Sequence, residues 1–325
     1  MDHVKPSCDN DAIDSGDTSW LLCSSAFVML MIIPGLALYY AGLSQKNNRI
    51  SAFIQLFSIV CLVTLLWILL GYSITFGDGN SFAGSGNRIW LQGTLLRTGN
   101  RSNGQVTSLT KHRLNCNVPE TVLIVFQGAF AAVAAAIIYG AWAERMKFHG
   151  ALIFTGCWHL LVYAFIARWH WSDQGWLYIL GSLDYAGGDV VHVAAGFSGL
   201  AVAWYLKPRQ SIKQGRAIQY SSISNTLMGT CLLWVGWFGF NGGSAGSANG
   251  RAGYAFINTQ VCAATSSMIW TIMDFQFNRH YSPISIARCS PHCYSLLSCH
   301  LQILHRRRRS NISRATNCCP VSCLK

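Results

Sequence analysis

Seven apolar runs, each about long enough to cross a bilayer, leave this chain few ways to fold. They cover about 19–43, 51–76, 119–142, 149–169, 186–206, 222–243 and 252–275. About 20 apolar residues wound as a helix match the hydrocarbon core of a membrane. Inside lipid a helix satisfies its own backbone hydrogen bonds. The pattern predicts an all-α polytopic membrane protein. Composition agrees, with 51% of residues hydrophobic, 11% charged and the charge gathered between the runs. Soluble globular classes are excluded. No nucleophile–base pair or phosphate-binding loop is apparent, so an enzyme is not expected.

The formal net charge of +12 misleads. Eight Lys and Arg and no acid follow Asp274, so the first 274 residues carry only about +4. Nucleic acid is therefore a poor partner. Basic residues collect in alternate short loops: Lys46 and Arg49, then Arg145 and Lys147, then Lys207, Arg209, Lys213 and Arg216. Positive charge marks the cytoplasmic side, which places the N-terminus outside. Residues 1–18 are acidic and polar, lack the pattern of a cleavable signal, and end at Thr18, a good N-cap type. The sequon at Asn100 then also lies outside, as do Cys8 and Cys116, for which a disulfide is an option in an oxidising compartment. Cys23, Cys61, Cys157, Cys231 and Cys262 lie in apolar runs and are expected as small core residues.

The stretch 184–209, DYAGGDVVHVAAGFSGLAVAWYLKPR, departs from plain apolarity. An ionisable group inside a lipid-facing helix costs roughly 2.5–3.5 kcal/mol on insertion scales, so His192 should face a polar interior. Asp184 and His192 lie roughly 80° apart on a helix, two turns from each other. Ala194, Ala195, Gly196, Ser198 and Gly199 invite close helix packing. Two readings stay open: a polar line in a pore or relay, or a hydrogen-bonded core histidine with Asp184 as helix cap. Asp189 could face the same interior or cap the helix, and the cap is the expectation.

Three further stretches carry aromatics. Phe126 and Phe130 are four residues apart and share a face. Trp171 closes the fourth run beside Trp169, His170 and Trp176. The sixth run ends in WFGFNGGSAG, from Trp237 through Phe240 to Ser244. Ring faces at a pore mouth can hold a small cation, for about 0.5–2 kcal/mol each. For most of the twelve tryptophans an interfacial belt with core packing is the favoured reading.

Together these stretches resemble the ammonium transporter (Amt/Mep/Rh) family, on its Amt branch. PGLALYYAGL, GYS, FQGAF, AERMKF, the whole of 184–209 and GWFGFNGGSAG match in order over about 19–275. The resemblance implies an inverted-repeat helix bundle of eleven spans, about seven of them present here, assembled as plasma-membrane trimers with one pore per subunit. It implies ammonium recruitment by Trp171, Ser244 and Phe130, with Asp184 supporting the site from behind. Phe130 and Phe240 would form a stacked gate, and His192, Trp237 and Phe126 would line the path. His192 would be one of two facing histidines. Ammonium and membrane lipid are the implied partners, with a homotrimer or a mixed trimer with full-length relatives; no metal or cofactor is implied.

No match to the second pore histidine follows 275. Residues 276–325 change texture: no acid, six cysteines, four histidines and the arginine run 306–309. Their spacings lack the paired form of a zinc knuckle; a lipid-touching basic tail is a second reading. The preferred expectation is an incomplete membrane domain over 19–275 and a non-homologous, disordered tail produced by loss of reading frame. The leading function is transmembrane ammonium transport, incomplete in the chain as it stands. The alternative is a non-conducting subunit that regulates full-length trimers or senses ammonium. A haem protein using His159, His170 and His192 would need two histidines facing each other. Translating the other frames of the genomic DNA past residue 275 should reveal further spans with a pore histidine; if none does, the frame-loss reading fails.

Overall fold

A computed structural model describes residues 8, 13–94, 110–214 and 220–278. Asn100 and the stretch from 279 onward lie outside the described residues. Seven long helices follow in order: α1 (Ser15–Leu43), α2 (Lys46–Phe76), α3 (Glu120–Trp142), α4 (Phe148–Ile179), α5 (Gly188–Leu206), α6 (Ile223–Gly243) and α7 (Gly250–Asn278). The first five are long and apolar enough to cross a membrane. α6 and α7 have the length, but Asn, Ser, Thr and Gly dilute their apolarity. Among the described residues there are no strands beyond two isolated bridges.

Asp14 caps α1, its carboxylate accepting from Asp17 N–H at 2.7 Å. Thr18, expected as the cap, lies in the first turn and donates its hydroxyl to Asp14 O instead. Both types suit a helix start; the earlier one is reached first and satisfies a free donor. Near Pro34 the helix bends, with Ile33 at φ −129° and ψ 109°. A turn at 172–175 interrupts α4, closed by Gly175 N–H donating to Ser172 O at 2.9 Å.

α3 is the centre of the bundle, packed against α1, α2, α4 and α5. Its small residues explain why: Ala131, Ala132, Ala134, Ala135 and Ala136 are all fully buried. α6 packs on α1 and α7. Here side chains step aside. A Cβ on Gly239 would stand 2.6 Å from Phe27 Cβ and 2.8 Å from Ser24 O. Gly229, Gly236 and Gly243 meet α1 in the same way, at Tyr39, Met31 and Ser24 in turn, so the two helices run antiparallel. Of the cysteines expected in the core, only Cys262 is buried; Cys23, Cys61, Cys157 and Cys231 sit on outward faces. In a membrane bundle lipid is as apolar as the core, so an apolar run does not say which way a residue points.

Two polar devices shape the α2–α3 loop and the end of α4. Cys8 and Cys116 form a disulfide. Arg168, fully buried, uses all five guanidinium N–H donors at 2.6–3.3 Å on Thr75 O, Gly77 O, Asn80 O and Gln174 Oε1. It holds the turn after α2 against α4. Arg113 joins Asp78 at 3.1 Å and Asp173 at 2.7 Å above it.

Because the α1–α6 contact has no spare volume, Gly239→Leu should destabilise the bundle by about 1–3 kcal/mol or more, an overpacking cost. Thermal unfolding in detergent checks this, with Gly253→Leu, whose position faces open space, changing little.

Candidate functional site

The aromatic side chains singled out in the sequence come from four helices and meet around Phe130. Phe130 and Phe240 stack face to face, 4.2 Å between centroids and 19° between planes. Phe126, one turn before Phe130 on α3, lies 5.0 Å away. Trp171, from α4, meets Phe130 edge-on at 5.7 Å. All but Trp171 are buried to 3% exposure or less. Rings stacked at this distance leave no aperture between them, so anything passing between α3 and α6 here must first turn a ring.

On the other side of the stack, Trp237 lies 5.1 Å from Phe240. The half-buried His192 ring stacks on Trp237 at 5.8 Å and 21° and lies 6.1 Å from Phe240. Ser244 follows one turn after Phe240, and its Oγ donates to Phe240 O at 2.8 Å. The structure thus brings together Phe126, Phe130, Trp171, Phe240, Trp237 and His192, with Ser244 tied to the end of α6.

Asp184 works on backbone. Its Oδ1 accepts from Gly187 and Gly188 N–H at 2.6 and 2.9 Å, and its Oδ2 accepts from Asp189 and Val190 N–H, both at 2.9 Å. One carboxylate therefore satisfies the free donors at the start of α5 and meets the positive end of the helix dipole. Gly187, at φ +89°, takes the left-handed turn into the helix that a side chain would strain. Asp184 O also accepts the Trp171 indole N–H at 3.1 Å, so the same residue fixes the ring beside Phe130. Burial pushes the Asp184 carboxyl up, while the N–H groups of Val190, Gly187 and Asp189 pull it down and the Asp189 charge adds to the rise. Asp189, expected as the cap, contributes only its N–H; its half-exposed carboxylate reaches His170 Nδ1 at 3.9 Å.

His170, Asp184 and Asp189 bring ligand-type atoms within 4.8 Å of one another. They are a poor cation site, because four N–H groups already occupy the lone pairs of Asp184 and Ser182 Oγ lies 3.1 Å from His170 Nδ1. The three histidines of the haem reading have separate surroundings: His159 by Trp67 and Tyr163, His170 by Ser182, His192 by Trp237.

Below Trp237 a small apolar cavity is lined by Leu36, Tyr39, Tyr40, Val133, Ile137 and Leu233. Leu36, Tyr39 and Tyr40 fall in the PGLALYYAGL motif, but none of these six was given a role from the sequence. Their register carries the signal: 126, 130, 133 and 137 on α3, and 233, 237, 240 and 244 on α6, step by four and three along one helix face. A stripe of ring and apolar side chains thus runs along both helices.

The model of the Ammonium Transporter Family matches residues 19–289. The chain belongs to the ammonium transporter family. It is 38% identical over 264 residues to an ammonium transporter of Bacillus subtilis, covering 81% of this chain and 61% of that one. It is 36% identical over 276 residues to ammonium transporter 1 of Schizosaccharomyces pombe, covering 85% and 52%. Crystal structures of Mep2 from Saccharomyces cerevisiae and of a G343C mutant of Candida albicans Mep2 superpose with TM-scores of 0.74 and 0.73, at 31% and 32% identity. They cover 87% of this chain in both cases and 62% and 60% of theirs. The chain therefore spans between half and two thirds of the length of these relatives. Within the family's fold, the inverted-repeat helix bundle expected from the sequence, the stack of Phe130 on Phe240 lies between α3 and α6.

Asp184→Asn keeps the shape but turns an amide N–H₂ toward two backbone N–H donors. The expected cost is about 1–3 kcal/mol for the groups left unpaired, with fraying of α5 first. Hydrogen exchange at 187–190, faster in the variant than in the parent, checks it.

Proposed function

We propose that this chain serves transmembrane ammonium transport. The observation that carries the reading is the ring cluster of Phe126, Phe130, Trp171 and Phe240 set above His192 and Trp237, in a member of a family whose curated relatives are named ammonium transporters. Trp171 and Phe130, with Ser244, recruit ammonium at the outer vestibule, each ring face contributing about 0.5–2 kcal/mol. Asp184 acts from behind by holding the Trp171 indole and the start of α5. Phe130 and Phe240 are the gate. Past it, carrying a bare cation through an apolar path is expensive. A neutral imidazole at His192 accepts a hydrogen bond or a proton and lowers that cost, while Trp237 and Phe126 form the walls.

The proposed setting is the plasma membrane, multi-pass, with the N-terminus outside and a homotrimer or a mixed trimer with full-length relatives as the assembly. The Cys8–Cys116 disulfide supports an outside position for that end of the bundle, as do the basic loops on the opposite side.

Expression in cells that lack ammonium uptake, alone and beside a full-length relative, tests this reading. Rescue by the chain alone supports transport, and Trp171→Leu should then raise half-saturating methylammonium roughly fivefold, the equivalent of one lost ring contact of about 1 kcal/mol. Suppression of the relative's uptake without rescue supports the non-conducting regulator instead. Neither effect, with the protein present at the membrane, defeats both.

A further inference from the structure

α4 carries a line of polar side chains that the ring cluster does not use. Thr155, His159 and Tyr163 recur every four residues, about one helical turn apart, so they follow one another along one face, the step from His159 to Tyr163 being a π-helical turn. Thr155 is 1% exposed and the other two 0%. Among the described residues, Thr155 Oγ1, both ring nitrogens of His159 and the Tyr163 hydroxyl have no hydrogen-bond partner. Such groups are costly when buried unpaired, and a membrane interior supplies no bulk water to offset it. A row of such groups on one face of one span points to a shared ligand.

The surroundings restrict what that ligand is. The His159 ring stacks on Tyr163 at 5.7 Å and 24°, and Trp67 flanks both at 6.0 and 6.4 Å. The Trp67 indole N–H is already committed to Ile124 O at 3.0 Å, so it is not the missing donor. At His159 Nε2 the α2 backbone comes close: a Cβ on Gly71 would stand 2.7 Å from that nitrogen. The Nε2 edge is therefore crowded, and the Nδ1 edge is the one left for a partner. Two hydroxyls and an imidazole each donate and accept. A cation that only donates would leave the hydroxyl protons unserved. A water both donates and accepts, so one water can bridge two such neighbours a turn apart.

We propose that this face of α4 binds ordered water molecules bridging Thr155, His159 and Tyr163, a hydrated column distinct from the stripe that runs past Phe130 and His192. Buried waters of this kind serve polar groups that packing leaves unpaired. The column joins three groups able to relay hydrogen bonds along part of a membrane span, and it does not depend on what the ring cluster conducts.

Water-edited solid-state NMR on the full chain in lipid bilayers, labelled with ¹⁵N-histidine, tests the proposal directly. The His159 signals are assigned by their disappearance in His159→Gln, or in His159→Phe if the first variant does not fold. The expected result is magnetisation transfer from water to the His159 ring nitrogens, reduced in Tyr163→Phe while the other histidine signals are unchanged. Thr155→Val reads the same loss from the other end if Tyr163→Phe does not fold. Absence of transfer to His159 overturns the site. Transfer unaltered by removal of either hydroxyl overturns the bridged column.

Discussion

The approach of α6 to α1 without intervening side chains sets the rest of the arrangement. In a membrane, helices gain little from leaving lipid, so close van der Waals packing through small residues is what orders them. Gly229, Gly236, Gly239 and Gly243 each face backbone or Cβ atoms of α1 or the Phe126 ring. α1 is in turn held to α3, where the Tyr40 hydroxyl donates to Ile137 O at 2.9 Å and Gly140 leaves room for the ring. With α6 fixed on α1 and α1 on α3, Phe240 has little freedom except against Phe130. The 4.2 Å stack is a consequence of these contacts.

Polar groups do a different job at the ends of the spans. Asp184 satisfies four backbone donors and anchors the Trp171 indole through its own carbonyl. Arg168 satisfies the carbonyls of the turn after α2. At the opposite end Glu144 accepts from Gln45 N–H at 2.5 Å and pairs with Arg209 at 3.3 Å. Asp184 and Arg168 each place one charged side chain where several backbone groups would otherwise lack partners, and charge-assisted bonds of this kind are the strong ones. The ring cluster is thus built from apolar packing along the helices and pinned by charge at their ends.

Much of this was legible in the residues. The four-residue step from Phe126 to Phe130 places both on one face, and the motif order pointed to the family. The cavity residues below Trp237 were not legible, because Leu36, Val133 and Leu233 look like any other apolar residue in an apolar run; only the register shared with the rings gives them away. The cysteines misled for the same reason. Asp14 rather than Thr18, and Asp184 rather than Asp189, turned out to be the caps. Neighbouring residues of equally suitable type compete for one set of N–H groups, and the chain's path into the helix decides between them.

By itself the sequence determined the helices, their order and their family, since span-length apolarity and residue spacing are local properties that lipid and backbone geometry translate directly into structure. It also determined which side chains share a face. Tertiary structure alone decided which faces meet: Phe240 on Phe130 and His192 on Trp237. It alone showed that Thr155, His159 and Tyr163 are buried together without hydrogen-bond partners for their polar atoms. Those outcomes depend on distances between helices, and these are set by summed packing of residues far apart in the chain, which no local pattern encodes.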